Sequence, residues 1–190
     1  MNTLRERQKR PARVYYLSEA YQMVNKLAWE IDQLKKAMNP DNEDLTALDK
    51  TAYIAFNSAV TAWHIGDWVW DCLDEVPQHS LCKILNIKFD SKGNNFLNYL
   101  DATSTDLNIC HSIANGSKHR GQKAGVEAQL QWDLKSVPVP NQTGISEEVM
   151  IYKLVVNYNG KTLNGVIVFE NALKFWRDFL RRPEFQAVKA

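Results

Sequence analysis

Apolar residues recur at spacings of three and four up to Ala114, and alternate strictly with polar ones from Val126 to Lys135. The first pattern predicts helices and the second predicts strands. Leu17, Tyr21, Val24, Ala28, Ile31, Leu34 and Met38 form one apolar stripe. Pro11 suits the first turn of that helix, and Asn39-Pro40 ends it, because a residue before Pro avoids the α region. After a short acidic link, Thr46–Val76 reads as one long helix that is apolar nearly all round. Such a helix must be covered by neighbours. Its polar exceptions, Asn57, Thr61, His64, Asp67 and Asp71, recur at three and four. They share a face and are expected to form a buried polar stripe that needs hydrogen-bond partners.

Pro77 is expected to stop the long helix. A connection follows to Asn95, with a helical turn at Leu81–Leu85 and a turn at Ser91–Asn94. Phe96–Leu100 and Asp106–Asn115 read as short helices, the second capped from Thr103-Ser104-Thr105 and closed by Gly116. Val126, Ala128, Leu130, Trp132 and Leu134 then alternate with polar residues up to Lys135, a strand with one wet face. Val149–Tyr158 is apolar on both faces and reads as central. Asn159-Gly160 is a type I′ hairpin signal leading to a third strand at Thr162–Val168. Glu170–Leu180 closes the chain as a helix.

These elements predict an α+β fold. A bundle of four to five helices stands beside a three-stranded antiparallel meander, and the C-terminal helix covers the sheet. At 190 residues one domain over 1–190 is expected. It divides into a helical core over 11–120, strands over 126–168 and a closing helix over 170–182. An apolar fraction of 45% with six Trp fills a core of that size.

The formal net charge of +1 gives no global field toward nucleic acid or an anionic membrane. Cations crowd the start (Arg5, Arg7, Lys9, Arg10, Arg13), where a solvated terminus is the plain reading. Three cysteines without a CxxC spacing point to reduced thiols and a cytoplasmic location. No apolar block follows the basic start, so no signal peptide is expected. His64, Asp67 and Asp71 argue against a membrane span at Ala52–Leu73.

The candidate chemistry lies in two stretches, the stripe on the long helix and Cys110–Lys123. In the second, His111, Asn115 and Lys118 share a helical face, and Lys118, His119, Arg120 and Lys123 cluster beyond it. Facing the stripe, such a set holds a base near neutrality, a carboxylate and cations for an anionic transition state. The candidate catalytic residues are His119, Lys118, Asn115, His64 and Asp67. Arg120, His111 and Asp71 are the candidate ligand contacts. A hydrogen-bonded His64–Asp67 pair is expected, with no metal and no cofactor. Without a Walker loop, GxGxxG or GxSxG, P-loop hydrolysis, hydride transfer and elbow-serine chemistry are not expected.

The AWHIGDWVW helix paired with the later IANGSKHR segment resembles small bacterial proteins with a Trp-rich helix and an ANxxKH element. Val14–Lys123 is similar to the HEPN group, helical bundles that include RNA-cleaving toxins. Asn115 and His119 match that group's polar residue and His; its Arg several residues ahead of the His has no counterpart here. The resemblance implies RNA or nucleotide binding or cleavage, with His119 as acid or base at the phosphate and Asn115 in support. The alternative is a non-catalytic homodimer whose helices pair through aromatic surface and whose stripe is structural.

Overall fold

The computed structural model describes residues 17–39, 46–119, 125–138, 146–183 and 185–186. The helices are α1 (Ala20–Ala37), α2 (Ala47–Asp71), α3 (Glu75–Ile84), α4 (Asn94–Thr103), α5 (Thr105–His119) and α6 (Gly165–Arg181). The strands β1 (Val126–Pro138), β2 (Ser146–Tyr158) and β3 (Lys161–Asn164) form an antiparallel sheet in that order. The fold is α+β, with the meander placed before the C-terminal helix and β2 central, as the apolar pattern predicts.

Several boundaries differ from expectation. Residues 11–16 lie outside the described residues, and α1 opens only at Ala20. There the Gln22 side chain accepts from the Glu19 backbone N–H at 3.0 Å, one arm of a capping box. Pro77 does not end α2. That helix stops at Asp71, and Pro77 sits in the first turn of α3, where a missing N–H costs nothing. Gly116 does not end α5, which runs on to His119. The third strand is four residues long, not seven. Asn164 accepts from the Val166 N–H at 2.9 Å and caps α6, so Gly165–Val168 become its first turn.

The core sits where α2 meets its neighbours. Thr51 donates to the Ala37 carbonyl at 3.0 Å and ties α2 to the end of α1. Trp176 of α6 is fully buried and donates from Nε1 to the Ala62 carbonyl at 2.8 Å. Leu97 and Leu100 of α4 lie within contact distance of Gly66. The sheet presents Val126, Leu154 and Val156 to the helices, all buried. Asn159 and Gly160 both have positive φ, 48° and 75°, as a type I′ turn requires.

Gly165 is the tightest junction between sheet and helix. A Cβ there would overlap Leu154 Cγ. Gly165→Ala is therefore expected to destabilise the fold by about 1–3 kcal/mol, read as a lowered midpoint in thermal unfolding followed by circular dichroism.

Candidate functional site

The polar residues of α2 do not form a buried stripe. Asn57 and Asp71 are exposed, and the His64 and Asp67 side chains are 40% and 43% exposed. Only Thr61 is buried. The reason is geometric: Thr51, Thr61, Ala62, Trp63, Gly66 and Trp70 already place the packed side of α2 toward α1, α4, α5 and α6, and the polar set falls on the side left over. His64 Nδ1 and Asp67 Oδ2 lie 2.7 Å apart, one turn of helix between them.

A second imidazole–carboxylate pair stands between α4 and α5. His111 Nδ1 lies 2.9 Å from Asp101 Oδ1. The His111 ring also stacks on Trp63, with centroids 3.9 Å apart and planes 10° from parallel. Carboxylate and indole together fix the imidazole in position and in plane. With Nδ1–H donating to Asp101, Nε2 is left as the basic nitrogen. Among the described residues no hydrogen bond engages it. The two side chains are 19% and 26% exposed, so the pair is sheltered without being sealed.

Asn115, one turn beyond His111 on α5, is half-buried. The side chains of Lys118 and His119, and all of Arg120, lie outside the described residues. The helical backbone to His119 puts Lys118 on the His111 face, about 10 Å further along the axis, and His119 about 80° round from it. Leu97 and Leu100 of α4 lie against Gly66, while His111 of α5 stacks on Trp63, one turn nearer the start of α2 and next in sequence to His64.

A third polar group links α1 to α2. Lys26 Nζ donates to Thr61 Oγ1 at 2.6 Å and pairs with Glu30 Oε1. Glu30 is buried, and its second oxygen has no partner among the described residues. Elsewhere, burial raises the Asp106 carboxyl and the fully enclosed Cys110 thiol above their ordinary values. All three cysteines are buried, and none forms a disulfide. Among the described residues no three His, Cys, Asp or Glu side chains converge as metal ligands, and no described helix is long and apolar enough to cross a membrane. A cleft of about 470 Å³ opens between α3 and α6, lined by Leu81, Tyr99, Phe179 and Arg182, away from the histidine pairs.

Three of these residues escaped the sequence reading. Asp101 lies ten positions before His111, across the break at Ser104, and no periodicity marks that pairing. Lys26 and Glu30 did leave a signal: Glu30 interrupts the apolar run Leu27, Ile31, Leu34. No family model, curated protein or solved structure matches the chain.

The Lys26–Glu30 pair makes an ordered prediction. Lys26→Met strands a buried carboxylate and is expected to cost about 1–3 kcal/mol. Lys26→Met with Glu30→Met removes the charge as well and is expected to cost less than the single change. Urea unfolding of both variants checks the order.

Proposed function

We propose that the chain is a HEPN-like helical module that binds RNA or a nucleotide along the α5 seam and acts on its phosphate. The observation that carries this reading is the His111 ring, held at Nδ1 by Asp101 and flat against Trp63, with Nε2 unengaged among the described residues. A rigid imidazole of fixed tautomer is suited to moving one proton. Asp101 is a positioning residue; His111 is the base.

The chemistry that fits needs no metal. His111 Nε2 removes the proton of a ribose 2′-hydroxyl, the oxygen bonds to the adjacent phosphorus, and the bond to the 5′-oxygen breaks. The leaving oxygen takes a proton from water. The products are a 2′,3′-cyclic phosphate and a 5′-hydroxyl. Asn115 and Lys118 stand on the same helical face as His111, so an amide and a cation are available to the charge that develops on phosphorus. Arg120 and Lys123 follow in the chain and supply further cations for the backbone. His119, the position matched by the resemblance, is the competing base.

The test is mixed RNA incubated with wild type, His111→Ala, Asp101→Asn and His119→Ala in the presence of a chelator. Fragments ending in a cyclic phosphate are expected from wild type. His111→Ala is expected to lower the rate by about 10²–10⁴-fold, and Asp101→Asn by less. Circular dichroism confirms that each variant is folded. Loss confined to His119→Ala would move the base to that residue. An inert wild type would remove the cleavage step, and the absence of salt-sensitive RNA binding would remove the whole reading.

A further inference from the structure

We infer that the outer edge of β1 pairs antiparallel with the same edge of a second copy of this chain, centred on Gln131, to give a continuous six-stranded sheet. The inference is independent of the RNA reading.

The hydrogen-bond phase of the sheet shows which backbone groups are free to do this. The Tyr152 N–H donates to the Met38 carbonyl at 2.9 Å, on the side of β2 away from β1. The two-residue turn at Asn159-Gly160 bonds Tyr158 to Lys161, again on that side. Even-numbered residues of β2 therefore point away from β1. Trp132 faces Tyr152 and Leu130 faces Leu154 in the register, so these are the non-bonded pairs of the β1–β2 ladder. It follows that the N–H and C=O groups of Ala128, Leu130, Trp132 and Leu134 all point outward from β1. Among the described residues no strand pairs with them, since β1 is the edge of the sheet. A thirteen-residue edge of this kind is a template for another strand.

The sequence of β1 selects its own copy as that strand. With Gln131 on the two-fold axis, Glu127 stands opposite Lys135 of the second copy, and Lys135 opposite its Glu127. Asp133 stands opposite Gln129, and Trp132 opposite Leu130. The Glu127–Lys135 pairs fall at non-bonded positions of the new ladder, where side chains approach most closely. Asp133 already pairs with Lys153 at 2.9 Å within the chain, whereas among the described residues no ion pair holds Lys135. Shifting the register by two residues sets Asp133 against Glu127, like against like; shifting the other way sets Lys135 against Gln129 and Glu127 against Val137. A shift by one turns the apolar side chains to the wet face. The apolar face supplies the burial. Trp132 and Leu134 are 63% and 49% exposed in the single chain, while Val126 at the other end of the strand is covered. Pairing lays Trp132 against Leu130 of the second copy and covers the open end.

The test is the mass of the full chain by sedimentation equilibrium from micromolar to hundreds of micromolar, with a dimer expected. Glu127→Lys or Lys135→Glu alone is expected to weaken dimerisation by roughly tenfold, and the two together to restore it. Ala128→Pro removes an outward N–H and is expected to give monomers that keep the β1–β2 ladder. Hydrogen exchange supplies a measurement on the unaltered chain. The Leu130 and Trp132 amides are expected to gain protection as concentration rises, while those of Gln129 and Gln131, bonded to β2, do not change. A monomer at every concentration overturns the pairing. So does a dimer indifferent to these substitutions, which would place the contact on the exposed Trp29 and Tyr53 of the helices. Protection of Leu130 and Trp132 in a monomer, from a segment of the same chain, overturns it equally.

Discussion

The hydrogen bond from the Trp176 indole to the Ala62 carbonyl joins the last helix to α2 at the centre of the core. A helical carbonyl has a second lone pair after serving its own ladder, but a side chain must come very close to reach it. Ala62 and Gly66, one turn apart, leave that room. A Cβ at Gly66 would already lie 3.8 Å from the indole Cη2, and closer still to the leucines of α4. The same indole packs edge-on against Phe175 and Phe179 within α6. One polar atom is thereby satisfied at the centre of an apolar cluster, where an unpartnered N–H would be costly.

Helix α2 then has a distinct task for each direction it faces. Thr51 and Thr61 meet α1 through hydroxyls, Ala62 and Gly66 admit α6 and α4, and Trp63 carries the His111 ring of α5. What remains is the side bearing His64 and Asp67, which is open to water. The sheltered imidazole is consequently the one on α5, and the exposed one is on α2. Asp101 and Trp63 come from separate elements, so the orientation of His111 is a product of tertiary packing and not of any local motif.

The fold was legible because its periods are clean. Alternation from Val126 and the Asn159-Gly160 turn specify the hairpins, and the stripe from Val24 to Leu34 specifies the first helix. The boundaries were less so, for identifiable reasons. Pro77 looks like a stop signal, yet is harmless in a first turn. The Val166–Val168 stretch has strand chemistry, yet the Asn164 cap and the contact of Gly165 with Leu154 turn it into helix. Polarity at helical spacing on α2 showed that the residues share a face, but could not show whether that face looks inward. For the site, His111 and Asn115 were found by spacing on one helix. Asp101 was not, because its pairing depends on the bend at Ser104, and the side chains of Lys118 and His119 fall outside the described residues.

The indole that completes the centre belongs to a residue more than a hundred positions after the carbonyl it meets. During synthesis, α1 and α2 leave the ribosome long before α6 exists. Until then the Ala62 carbonyl lacks its indole partner, and the apolar strip of α2 that α6 covers stays open to whatever surrounds the nascent polypeptide. Assembly of this chain is thus bound to be late: its interior closes only once the last helix has emerged, and any delay near the end of translation prolongs the period in which that strip can stick to a neighbour.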